Sequence, residues 1–175
     1  MNKKEINNLE NEISYQFIDK SIIQRSLTHK SFDKTVNNEL LEFLGDRILG
    51  LVIAEKLISD FPNDREGLLD KRFSRLVNKD TCFSISQSLR LGDFIFLGST
   101  EISSKGNEKR SILADACEAL IGAIYLDGGY DESKKFILKF WNKEFQLMNI
   151  NLIDSKSFLQ EWTLKKYKEL PEYKL

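Results

Sequence analysis

The chain has 175 residues, with 26 basic and 27 acidic side chains and a net charge of −1 at pH 7. A hydrophobic fraction of 41% beside 30% charged residues suits one soluble globular domain with a core plus a little more, and excludes a low-complexity or fibrous chain. The charge balance leaves no general basic footprint for nucleic acid, no stretch reaches the length of a membrane span, and the Asn-, Glu- and Lys-rich start lacks the apolar core of a signal peptide.

In chain order the pattern is helical almost throughout, an all-α chain. Ile6, Leu9 and Ile13 give a short amphipathic opening helix. Asp19 is the expected N-cap of a helix carrying Ile22, Ile23 and Leu27. A polar loop from Phe32 to Asn37 leads into a long apolar helix that runs from Asn38 to about Ile58 and stops before Pro62. Further helices are expected over Arg65–Val77 and Thr81–Leu91, the second capped by Asp80. Phe94 to Leu97 reads as an extended connector between Gly92 and Gly98. After a polar loop from Glu101 to Asn107, a second apolar helix runs to about Leu126 and ends at Gly128-Gly129. A helix from Asp131 to Met148 carries Phe136, Ile137, Phe140, Trp141 and Phe145. Asn149 to Asp154 is the expected linker. Cys82 and Cys117 lack metal-ligand spacing and read as buried free thiols of a reducing cytoplasm.

Two of these helices carry acids where apolar residues would be expected. At 100° per residue, Glu39, Glu42 and Asp46 fall within roughly 60° of one another. Leu40, Leu41, Phe43, Leu44, Ile48, Leu49, Leu51 and Val52 cover most of the remaining circumference, which places the helix inside the protein. Asp115 and Glu118 repeat the arrangement one turn apart. Desolvated carboxylates this close need a compensating positive charge. Two such helices face to face make an oxygen-lined cage for a hard divalent cation. A carboxylate-bridged di-iron bundle is excluded, because it needs two Glu-x-x-His pairs and the chain has a single histidine, His29, which reads as structural.

These segments resemble the ribonuclease III family. Asn38 to Leu49 is similar to its signature stretch and Ser111 to Gly122 to its second catalytic segment. Leu27-Thr28-His29-Lys30-Ser31, Phe61-Pro62, Glu66-Gly67 and Leu126-Asp127-Gly128-Gly129-Tyr130 follow in the family's order, so the resemblance covers roughly residues 3 to 148. It implies a homodimeric ribonuclease III endonuclease-domain fold over residues 1–148, and a metal site of Glu42, Asp46, Asp115 and Glu118, with Asp46 and Glu118 catalytic. Mg2+ is the implied cofactor, with Mn2+ able to substitute; the cation activates water and stabilises charge on the phosphate and the leaving oxygen. The implied reaction cuts both strands of double-stranded RNA, leaving 5′-phosphate and 3′-hydroxyl ends with short 3′ overhangs. The implied setting is ribosomal and messenger RNA processing in the cytoplasm.

The resemblance links Glu39 and Glu66 to the cleft or dimer interface, although Glu66 equally fits a plain helix-start acid. Phe43 matches an aromatic that inserts into a socket on the partner subunit; ordinary core packing is the alternative. Gly45, Gly50 and Gly122 each cost about 1 kcal/mol in a helix relative to Ala. They point to close helix approach, consistent near the signature segment with a two-fold interface. Lys71, Arg72, Arg75 and Lys79 form one group of phosphate-contact candidates, and Lys105, Lys109 and Arg110 another. Arg47 departs from the family, where a small residue is common. Residues 155–175, with Ser157 to Trp162 and Leu170 to Tyr173, resemble the truncated start of a double-stranded RNA-binding domain; a C-terminal helix packed on the body is the alternative. That segment argues against the mini-ribonuclease III group, which lacks such a domain. A non-catalytic double-stranded RNA-binding dimer would show a broken acidic set.

Overall fold

Two long helices, α3 (Glu39–Asp60) and α7 (Arg110–Phe140), pack along one another and carry most of the core. The computed structural model describes residues 3–151 and 163–168. Around this pair lie α1 (Lys3–Ile13), α2 (Lys20–Ser26), α4 (Glu66–Val77), α5 (Lys79–Ser88) and α6 (Ser99–Ser103), with 3-10 turns at Leu91–Asp93 and Gly106–Glu108. There is no strand among the described residues, only an isolated bridge between Thr28 and Phe96. The connector through Phe96 is extended as expected: its N–H donates to the Leu27 carbonyl at 2.8 Å and its carbonyl accepts from His29 N–H at 3.1 Å.

From Ile112 to Ile124 every residue of α7 is buried except Asp115 and, within that run, Glu118 is the only other charged group. A helix buried all round needs neighbours on every side, and α2, α3 and α5 supply them. The close fit to α3 depends on two glycines. A Cβ on Gly45 would fall 1.7 Å from the Glu118 carbonyl oxygen, and one on Gly122 would fall 2.2 Å from that of Leu41. Gly45 and Gly122 therefore serve the α3–α7 contact within one chain, not a two-fold interface. A Cβ on Gly50 would stand 3.4 Å from the Phe73 ring of α4, an ordinary contact.

Several expected boundaries shift. The Asp19 cap is present, its side chain accepting from Ser21 N–H at 2.8 Å. The cap of α5 is Asn78, not Asp80: Asn78 Oδ1 accepts from Thr81 N–H at 2.9 Å, so the helix begins earlier, at Lys79. Gly129, at φ 80° and ψ −171°, is non-helical, so the first segment of α7 ends at Gly128-Gly129 as expected and a second segment continues across a kink to Phe140. Only glycine adopts that conformation freely, so the helix axis turns there. The kink is tied down by Asp127, which accepts from Tyr15 Oη at 2.7 Å, Ile18 N–H at 2.8 Å and Asp19 N–H at 2.9 Å. The polar loop from Glu101 to Asn107 contains the end of α6 and a 3-10 turn.

The helix expected over Asp131–Met148 is broken at Trp141. This residue is fully buried, and its Nε1–H donates to the Leu76 carbonyl at 2.8 Å, fixing the end of α7. The chain divides there into two units, residues 1–141 and 142–175. In the second, α8 (Asn142–Asn151) runs through the first residues of the expected linker, and residues 163–167 are helical. The rest of the expected linker and of the RNA-binding-domain start lies outside the described residues.

Candidate active site

The N-terminal half of α3 delivers its acids in successive turns. Asn38 is buried, its N–H bound to the Thr28 carbonyl at 2.9 Å, and Asn37 Oδ1 accepts from Glu39 N–H at 3.1 Å. This anchors the helix start and points Glu39 and Glu42 at its positive end, where negative charge is favoured. Opposite them, α7 presents Asp115 and Glu118, brought near because Gly45 lets the two backbones touch.

The result is an open pocket of about 590 Å3 lined by Glu39, Glu42, Asp46, Asp115 and Glu118, with Phe43, Lys30, Arg47 and Lys79 among its other residues. Carboxylate oxygens of Glu42, Asp115 and Glu118 all lie within 4.8 Å of one another. Asp46 lines the same pocket but its carboxylate is turned to the Arg47 guanidinium. Arg47 follows Asp46 by about 100° round the helix, yet these two partly exposed side chains meet. Arg47 also lies over the Phe43 ring, 4.9 Å from its centroid.

Electrostatics mark Glu118 as the most stressed of these groups. Burial, then the charges of Asp46, Glu42 and Asp115, push its carboxyl up to about 7, with Lys79 opposing. Burial and Asp115 likewise raise Glu42. Among the described residues neither forms an ion pair, whereas Asp115 accepts from Lys79 Nζ at 2.7 Å and Glu39 from Lys30 Nζ at 2.9 Å.

The remaining predicted residues scatter. Glu66 begins α4 and lines a second pocket of about 370 Å3 with Ala54, Leu57, Ile58, Leu69, Asp70 and Phe73. Lys71 and Arg75 are exposed on α4. Arg72 is not available to phosphate: it is buried, its Nε 2.8 Å from Asp64 Oδ2 and its guanidinium 3.8 Å from the Phe61 ring centroid. The helical turn that exposes Lys71 and Arg75 points Arg72 inward. Lys109 is held by Glu101 at 2.7 Å and Ser104 at 2.8 Å, which commits its donors, and Arg110 pairs with Asp80. His29 stands apart from the three-acid group, its Nδ1 2.8 Å from Ser31 Oγ. The placement of Lys79 and Lys30 inside the pocket was not foreseen. For Lys79 the signal was a basic residue at a helix start, where the dipole disfavours it.

A family profile described as ribonuclease-III-like matches residues 19–144. The chain belongs to the ribonuclease III family. Ribonuclease 3 of Pelagibacter ubique is 47% identical over 167 residues, which is 95% of this chain and 75% of the relative. Ribonuclease 3 of Campylobacter jejuni subsp. doylei is 45% identical over 172 residues, 97% of this chain and 76% of the relative. Among solved structures, a nuclease domain of ribonuclease III from Campylobacter jejuni, described for flexibility in a region involved in dimer formation, aligns with TM-score 0.78 and 47% identity. That match covers 81% of this chain and 99% of the other. Dicer from Pichia stipitis aligns with TM-score 0.62 and 25% identity, over 83% of this chain and 68% of the other.

The all-α ribonuclease III nuclease fold read from the sequence is thus the fold observed, and the chain is a ribonuclease III-type endoribonuclease. The family uses a divalent metal, and the residues present fit one. Their donors are hard carboxylate oxygens, and two of them, Glu42 and Glu118, form no ion pair among the described residues. With all five pocket carboxylates ionised against three basic side chains, two negative charges would be uncompensated, the charge of one such ion.

Proposed function

We propose that this chain is the catalytic part of a homodimeric endonuclease that cuts both strands of double-stranded RNA. The products are 5′-phosphate and 3′-hydroxyl ends with short 3′ overhangs; Mg2+ is the working cation and Mn2+ substitutes for it. The observation that carries this reading is the convergence of Glu42, Asp115 and Glu118 from two helices in a chain of this family. The acidic set is whole, whereas a non-catalytic RNA-binding dimer would have lost part of it.

Glu42, Asp115 and Glu118 would hold the cation, with Asp46 joining them if its carboxylate turns from Arg47. When bound, the cation supplies a nucleophile from water near neutral pH and offsets charge on the phosphate. The protein's part is to keep four acids on two rigid helices around one point. Glu118, with its carboxyl at about 7, exchanges a proton readily near neutrality in the cation-free protein. Lys71 and Arg75, exposed on α4, are the phosphate contacts proposed outside the pocket, with Arg110 if it leaves Asp80.

Dimerisation accounts for an exposed apolar stripe on α3. Leu40 is 69% exposed, Phe43 64%, Leu51 50% and Ile58 63%, more apolar surface on one helix face than a monomer ordinarily leaves in water. Phe43 and Ile58 are separated by about 22 Å along the helix. Two antiparallel copies of α3 crossing near Gly50 and Leu51 would bring each Phe43 to the other copy's apolar pocket around Ala54, Ile58 and Phe73. Glu66 and Asp70 on that pocket's rim would then face the partner's metal cluster, which suits the cleft role expected of Glu66.

The proposed setting is ribosomal and messenger RNA processing in the cytoplasm. Two buried free cysteines, Cys82 and Cys117, suit a reducing compartment, and among the described residues no helix is long and apolar enough to cross a membrane. The test is incubation with long duplex RNA and with a single strand of the same sequence, each with Mg2+ or chelator. Cleavage of the duplex alone, with Mg2+ alone, is expected; equal cutting of the single strand would overturn the substrate assignment.

A further inference from the structure

Lys79 is the first residue of α5, directly after the Asn78 cap. A cation there opposes the helix dipole. Its side chain is 58% exposed, so no burial requirement holds it in place. It nevertheless reaches across to α7 and sets its ammonium 2.7 Å from Asp115 Oδ1. The pocket's other basic residues behave differently: Lys30 binds Glu39 and Arg47 binds Asp46, both outside the three-acid group. Lys79 alone among them takes a member of that group.

An ammonium on Asp115 and a divalent cation held by the same carboxylate repel each other and share its negative charge. Because Lys79 is tethered, its effective concentration at Asp115 does not fall on dilution. We infer that Lys79 is a resident counter-ion that competes with the divalent cation for Asp115, so that loading the pocket requires Lys79 to release that carboxylate. This rests on the metal reading of the cluster given above. Lys79 is thus a positioning residue: it keeps Asp115 directed into the pocket of the empty enzyme and raises the cation concentration at which the pocket fills.

The experiment is calorimetric titration of Mn2+ into the RNA-free protein, comparing wild type, Lys79→Met, Lys79→Gln, Lys79→Arg and Asp115→Asn, with circular dichroism to establish that each is folded. At low ionic strength the two uncharged replacements should bind Mn2+ about fivefold more tightly, and the gap should narrow as salt is added. Lys79→Arg, which keeps the charge, should stay near wild type. Unchanged or weaker binding in whichever uncharged variant folds would overturn the inference. Mn2+ binding that is absent from wild type, or undiminished in Asp115→Asn, would instead overturn the metal reading and this inference with it.

Discussion

Gly45 lies directly against the backbone of Glu118, with room for hydrogen alone: a Cβ would stand 1.7 Å from the Glu118 carbonyl oxygen. The same contact that seals the core therefore sets the spacing of the acids on α3 and α7. Gly45→Ala should force the helices apart, cost at least about 1–3 kcal/mol, and lower cleavage beyond the loss of folded protein. Gly67→Ala is the control, because nothing lies within 4 Å of its Cβ position; it should be neutral or stabilising by up to about 1 kcal/mol. Thermal melts and cleavage rates of the two variants check this.

Glu118 makes the cation-free protein sensitive to alkali. Its carboxyl is raised from 4.5 to about 7, so the folded state holds a proton that the unfolded state has released between those values. Stability from this group is complete below pH 4.5 and is lost as pH rises through about 7. In chelator at pH 8, Glu118→Gln should be more stable than wild type by roughly 1–2 kcal/mol after allowing for solvent screening. The gap should close toward pH 4.5. Urea unfolding across this range measures it; a constant gap would contradict the assignment.

Phe43→Ala should weaken self-association. The side chain is 64% exposed, so its removal takes little from the protomer's core, and a lost interface anchor typically costs about 2 kcal/mol or more. Sedimentation should show the dissociation constant rising by an order of magnitude or more, with little change in secondary structure. A monomeric wild type at micromolar concentration would contradict the proposed dimer.

Asp127 tests the other end of α7. Burial alone would raise its carboxyl, but N–H donation from Asp19, the Tyr15 hydroxyl, Ile18 N–H and nearby Lys20 together hold it below its ordinary 3.8. Its stabilisation is present above that pH and lost below it. Asp127→Asn should cost about 1–3 kcal/mol at pH 7, a deficit that shrinks as pH falls below 3.8.

What was legible in the sequence was whatever repeats with the helix period. The faces of α3 and α7, the placement of Asp115 one turn from Glu118, and the Asp19 cap all follow from local spacing, whereas the turning of Asp46 to Arg47 does not. Contacts between distant segments were not legible. Gly45, Gly50 and Gly122 announced close approach, but spacing does not say to what, and two of the three proved to join α3 to α7. Lys79 meets Asp115 across 36 positions. Arg72 differs from its exposed neighbours Lys71 and Arg75 only in which way its turn of helix faces. Trp141 continues an apolar stripe without a break in pattern, yet its bond to the Leu76 carbonyl ends the helix there.

The central claim is that acids from α3 and α7 act as one cation-dependent site for cutting double-stranded RNA. The most direct measurement is the cleavage rate of long duplex RNA by Glu118→Ala at saturating Mg2+, with wild type alongside and folding followed by circular dichroism. The account predicts a loss of several orders of magnitude in a variant that stays folded, since the change removes a ligand together with a mutual repulsion. A folded Glu118→Ala protein that cuts at the wild-type rate would contradict it and place the site elsewhere.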